Sequence, residues 1–166
     1  MSPQTMTEKD SYLQASDREH QITLRVLRAF PSDQLDLRPH PTSATARDLM
    51  WMFALNKGAI DALIEGTLAM KPLPPAPRGR DELIATYEKI VADHVAKVRS
   101  MSDDQFNAPV RLQAGKDKFV EARRADGLWM MLMDTIHHRG QLSVYLRMTG
   151  SRVPSIYGPS RDEPWG

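Results

Sequence analysis

The sequence predicts an all-α protein, a four-helix bundle with an irregular C-terminal tail. Three observations carry this: four long segments with apolar residues at three- to four-residue steps, stretches rich in Pro and Gly between them, and no convincing strand run. A chain of 166 residues is the length of one ordinary domain, and residues 1–166 are read as one.

The first segment runs from about Thr7 to Phe30, with Leu13, His20, Leu24 and Leu27 in period, and Pro31 closes it. A polar link from Ser32 to Ser43 follows, where Pro39 and Pro41 disfavour helix, and Ser43 or Thr45 can cap the next segment. That segment, about Ala44 to Gly66, sets Leu49, Met52, Phe53, Asn56, Ile60 and Leu63 on one face. Lys71 to Gly79, KPLPPAPRG, suits neither helix nor central strand and is a crossover or an exposed arm.

The third segment, about Arg80 to Met101, opens on Asp81 and Glu82, favourable at a helix N-terminus. Ser102 to Ala125 breaks the period with Pro109 and Gly115, and its VRLQ and KFVEA pieces suggest a loop with one short hairpin. The fourth segment, about Asp126 to Thr149, aligns Leu128, Met131, Thr135, His138, Leu142 and Tyr145 and ends at Gly150 as C′. The tail, Ser151 to Gly166, needs packing to hold it.

Composition narrows the function. Lys plus Arg number 22 against 21 Asp plus Glu, a net charge of +1 with no basic stripe, which argues against nucleic-acid binding. There is no Cys, hence no disulfide, thiolate nucleophile or sulfur-rich zinc site from cysteine. No apolar run is long enough to span a bilayer, and Met1 to Asp10 lacks the apolar core of a secretory signal, so the expectation is a cytoplasmic protein without membrane contact. Ten Met beside four Phe and four Tyr predict an adaptable core.

Chemistry concentrates in the fourth segment. Asp134 and His138, four apart, stack on one helix face, and Gln141 and Tyr145 continue the row. A carboxylate and an imidazole so placed can both ligate a divalent metal, or the carboxylate can orient the imidazole as a base; a plain structural pair is the alternative. Gly140 in mid-helix asks for a reason, such as close approach of a helix or ligand. Arg139 and Arg147 are read as solvated charges or as an anion clamp. His94 and His20 are read as core histidines, His40 as surface, His137 as facing solvent or a second helix, and Met130, Met131 and Met133 as packing.

HHRGQLSVYLRMTG followed by VPSIYGPSRDEP resembles the ending of the DinB-like (damage-inducible B) family. LRPHPTSATARDLMWMFA is similar to that family's entry into its second helix, and VRSMSDDQFNAPV to the end of its third helix and following turn. The resemblance implies a bundle with a crossover connection, usually a homodimer, holding a divalent metal such as nickel or zinc on three histidines. It implies metal-dependent, in some members thiol-dependent, transfer, isomerisation or hydrolysis of small molecules. Carried over, the last histidine falls on His138, the one before it on Asp134, and the second-helix position on Met52. A carboxylate can ligate; a thioether is a poor ligand for such metals, and Asn56, one turn on, offers a weak oxygen. The resemblance thus allows a metal enzyme using Asp134 and His138, a metal-free pocket lined by Met52, Asn56, Gln141 and Tyr145, or a non-catalytic dimeric scaffold.

Overall fold

The computed structural model describes residues 6–69 and 74–165. Four long helices form the bundle: α1 (Glu8–Ala29), α2 (Ala46–Glu65), α3 (Arg80–Ser100) and α5 (Arg124–Met148), with a short α4 (Asp103–Asn107) after α3. Three strands complete it, β1 (Thr67–Leu68), β2 (Pro109–Gly115) and β3 (Lys118–Arg123). The protein is therefore mostly helical but not all-α.

The helix starts are written in side-chain chemistry. Thr7, Thr45 and Ser102 each accept the backbone N–H three residues on, while Asp10, Asp48 and Gln105 return the bond, so three capping boxes satisfy otherwise orphaned donors. Thr45, not Ser43, is the cap of α2. Gly66 ends α2 at φ 101° and Gly150 follows α5 at φ 78°, left-handed positions that favour glycine.

Neighbour directions follow from contacts along each pair. On α1 and α3, Tyr12 meets His94 and His20 meets Tyr87, so those helices are antiparallel. On α2 and α3, Phe53 meets Tyr87 and Asp61 meets Lys97, so they run parallel. Parallel neighbours cannot be joined by a tight turn. The connection from Gly66 to Gly79 is long enough, since 14 extended residues reach about 45 Å against roughly 30 Å for a 20-residue helix. Within it residues 70–73 lie outside the described residues, and at 74 the indole Nε1–H of Trp51 donates to Pro74 O at 2.8 Å. The connection is thus a crossover, and from Pro74 on its described part is held against α2 at Trp51.

The strands pair at one end, where α2 finishes and α5 begins: β2 and β3 form an antiparallel hairpin, and β1 adds parallel to β2 through Thr67↔Arg111 and Leu68↔Leu112. The hairpin matches the alternation in VRLQ and KFVEA; β1, two residues long, is too short to show a period. Asp117 turns the hairpin at φ 60°, tolerated because its side chain is short and polar.

Two apolar clusters fill the bundle, one around Leu27, Phe30, Phe53 and Leu142, the other around Ile60, Leu63, Phe106 and Leu128 near the sheet. Between them runs a belt of buried polar groups: Ser16, Glu19 and Thr23 of α1, His94 of α3, Thr135 and Arg139 of α5. Tyr12 Oη lies 2.9 Å from His94 Nε2. His94 is a core histidine as expected, His20 is half-buried against Tyr87, and His40 is exposed.

The two α5 glycines differ. A Cβ on Gly127 would meet Leu63 Cδ2 at 2.8 Å, whereas one on Gly140 would meet nothing within 4 Å. Close approach is the reason for Gly127, not for Gly140. Chemical denaturation checks this: Gly127→Ala is expected to cost roughly 1–3 kcal/mol because Leu63 is fully buried. Gly140→Ala is expected to gain up to about 1 kcal/mol from helix propensity.

Candidate functional site

Three contacts set α2, with the residues just before it, against α5. Tyr145 Oη donates to Ala44 O at 3.1 Å, Asn56 Nδ2 donates to Asp134 Oδ2 at 2.5 Å, and Arg124 Nε donates to Leu63 O at 3.0 Å. They define one antiparallel register, and it brings Met52 level with His138. Asn56, one turn after Met52, shows that this face of α2 is turned to α5.

On α5 itself Asp134 Oδ2 is 3.2 Å from His138 Nε2, and the side chains are 38% and 18% exposed. His138 Nδ1 lies 3.0 Å from Gln141 Oε1, and Gln141 Nε2 lies 3.1 Å from His137 Nε2. The result is a chain of polar groups, Asn56–Asp134–His138–Gln141–His137, starting in the core at Asn56 and ending on the exposed His137. Met52 is half-buried beside it. Tyr145 does not join this row: its ring sits in the core and its hydroxyl donates to Ala44 O, just before α2. Of the methionines on α5, Met131 packs on the core, while Met130 and Met133 are exposed.

A zinc or nickel site needs three or four converging nitrogen, sulfur or oxygen donors. Among the described residues no group of three or more His, Cys, Asp or Glu is placed to hold a metal. Here Asp134 Oδ2 and His138 Nε2 face each other rather than a shared third point, and the residue level with them is a thioether. The donor set does not fit a three-ligand centre.

Behind the row lies a group that reading Arg139 as a solvated charge misses. Its side chain is 1% exposed, with Nη2 2.8 Å from Oε2 of Glu19, itself 2% exposed. Arg139 also donates to Glu19 O, Thr23 Oγ1 and Tyr157 Oη, and Tyr157 Oη–H donates to Glu19 Oε2 at 2.7 Å. The signal was present: Arg139 falls on the same stripe as Leu128, Leu132, Thr135, Leu142 and Leu146. Arg147 is an exposed charge pairing with Asp162 of the tail. Because Arg139 faces α1, Asp134 and His138, about a third of a turn round, face α2.

The tail is held by the same logic. Asp162 accepts from Arg147 and from Val153 N, Glu163 accepts from Arg25 and from Ser155 N, and Ser160 Oγ accepts from the N–H of both acids. SIYGPSRDEP therefore closes on α1 and α5 through polar bonds.

These features together define the class. The chain belongs to the DinB family, whose sequence model matches residues 1–165. It is 24% identical over 157 residues to the uncharacterized protein YrdA of Bacillus subtilis, covering 93% of this chain and 90% of that one. A DinB-like protein of Bacillus cereus shares the fold at TM-score 0.76 and 19% identity, over 89% of this chain and 97% of that chain. YfiT of Bacillus subtilis, described as a probable metal-dependent hydrolase with an unusual four-helix bundle topology, superposes at TM-score 0.67 and 15% identity, over 90% and 92%. The mycothiol-dependent maleylpyruvate isomerase does so at 0.60 and 20%, over 81% of this chain and 60% of the isomerase.

Burial acts to raise the Glu19 carboxyl, but the Tyr157 hydrogen bond and the Arg139 bonds and charge, with Arg18 at the rim, outweigh it and hold it below its ordinary value of 4.5. A lowered acid stabilises the fold above its unfolded value and loses that contribution as pH falls through the folded one. Glu19→Gln is accordingly expected to cost about 3–5 kcal/mol at neutral pH, by leaving Arg139 buried and unpaired. The variant should also show a shallower loss of stability below about pH 4.5, measured by denaturant unfolding across pH.

Proposed function

We propose that this protein is a small-molecule transferase or hydrolase in which Asp134 and His138 work as a carboxylate–imidazole pair, not as two ligands of a resident metal. The observation that supports it best is the 3.2 Å approach of Asp134 Oδ2 to His138 Nε2, with Asn56 fixing the carboxylate from α2 and a thioether in the third position. The reaction class is taken from the descriptions of YfiT as a probable metal-dependent hydrolase and of the isomerase as mycothiol-dependent.

In this reading Asp134 accepts Nε2–H and fixes the ring, leaving Nδ1 as the base. Gln141 Oε1 faces Nδ1 at 3.0 Å, and since an amide oxygen only accepts, Nδ1 becomes the free base once the exposed Gln141 side chain turns its amide over or is displaced toward solvent by an arriving substrate. Nδ1 then takes the proton of a water or thiol as that oxygen or sulfur attacks the substrate. The imidazolium so formed is stabilised by the carboxylate and returns the proton to the leaving group. The amide N–H of Asn56 keeps Asp134 from rotating away.

An activated nitrophenyl ester, offered with and without a small thiol, tests this. Turnover is expected to survive exhaustive chelation, to fall about 10²–10⁴-fold in His138→Ala, and to fall substantially in Asp134→Asn, which removes the orienting charge. Turnover lost on chelation and restored by zinc or nickel would instead assign both side chains to a metal.

A further inference from the structure

Where a cationic side chain of this protein leaves bulk water it is matched by a carboxylate, with one exception. Among the described residues five Lys and Arg side chains are buried or half-buried: Lys9, Arg47, Arg80, Arg124 and Arg139. Lys9 pairs with Asp103 at 3.5 Å, Arg47 with Asp36 at 2.9 Å, Arg80 with Asp81 at 2.8 Å and Arg139 with Glu19 at 2.8 Å. Arg124, the first residue of α5, is in no ion pair among the described residues. It is held by two neutral carbonyls instead: Nε donates to Leu63 O at 3.0 Å near the end of α2, and Nη1 donates to Gln105 O of α4. Its Nη2 group has no acceptor among the described residues. A half-buried cation without an anion is unfavourable, and a bound anion removes the penalty.

Arg124 stands in the wall of a cavity of about 400 Å³, where α2, α3 and α4 end and α5 begins. That volume is at the low end of the ~300–1,000 Å³ typical of small-molecule sites. Ile64, Met101 and Ala108 give the cavity an apolar wall, and the Met side chain can adjust to a guest. Lys97 adds a second positive group, but Asp61 already matches it at 2.6 Å. The balance is one uncompensated positive charge beside apolar surface.

We propose that this cavity binds a small monocarboxylate with an apolar body, the carboxylate on the guanidinium of Arg124 and the body on Ile64, Met101 and Ala108. A carboxylate matches the fork of N–H groups that a guanidinium presents and neutralises the single charge. A dianion such as phosphate brings one charge too many and leaves the apolar wall uncovered, while a neutral apolar molecule leaves Arg124 as it was. No His, Cys, Asp or Glu lines the cavity among the described residues, and the Ser100 hydroxyl is used on Lys97 O at 2.7 Å. The cavity is therefore a place to hold a ligand and not a second centre of reaction. Arg124 and Asp134 are ten residues apart on α5, roughly 15 Å along the axis, so the site is separate from the polar row and does not rest on the chemistry proposed there.

Isothermal titration of the full chain with sodium hexanoate tests the proposal, with acetate, hexanol and inorganic phosphate for comparison. Hexanoate is expected to bind saturably at one site and to raise the melting temperature, and each of the other three to bind at least about tenfold more weakly. Arg124→Met is expected to weaken hexanoate at least about tenfold. Ala108→Phe, which keeps Arg124 and fills the cavity, should weaken it as much, and circular dichroism checks that both variants are folded. His138→Ala should bind hexanoate as the wild type does. The proposal is overturned by no saturation up to about 50 mM hexanoate, by acetate, hexanol or phosphate binding as tightly, by a folded Arg124→Met or Ala108→Phe with wild-type affinity, or by loss of binding in His138→Ala.

Discussion

The ion pair between Arg139 and Glu19 organises the rest of the molecule. Removing both charges from water costs several kcal/mol each, and the cost is offset by the pairing itself together with the hydrogen bonds that the two groups make to their surroundings. The guanidinium reaches the Glu19 carboxylate and main-chain carbonyl, Thr23 and Tyr157, while Tyr157 returns a bond to the carboxylate. These partners come from α1, α5 and the tail, so the pair fixes the rotation of α5 about its axis. That rotation decides which side chains of α5 look at α2.

The polar row is a consequence of that orientation. Asp134 meets Asn56 across the interface, and the α2–α5 register brings Met52 opposite His138. Of the three positions to which the resemblance assigns histidines, one keeps the imidazole of His138, one is the Asp134 carboxylate set against that imidazole, and one is the thioether of Met52.

Much of this was legible in the sequence where the signal was periodic or local. The four long helices lie where the period puts them, since their cores repeat every three to four residues and their caps are marked by Thr7, Thr45 and Gly150. The Asp134–His138 contact follows directly from a four-residue spacing on a helix. What was not legible depends on partners far away in the chain. β1 exists because Thr67 and Leu68 pair with Arg111 and Leu112, and two residues carry no pattern of their own. Arg139 looked like a surface charge because its partner, Glu19, is 120 residues away, although its position on the apolar stripe pointed inward. Asn56 was read as a weak oxygen donor, but its amide nitrogen is what faces α2's neighbour.

The placement of α5 bears on how the chain reaches its folded state. The helix packs on both α1 and α2, and Glu163 beyond it returns to Arg25 of α1. As the polypeptide leaves the ribosome, α1, α2 and α3 emerge before the strand of sequence that closes their shared interior. Until it arrives Glu19 has no guanidinium and Leu63 no glycine to pack on. The bundle can therefore complete itself only once α5 and the segment after it have been made, which makes the nascent three-helix stage the one most in need of protection from aggregation.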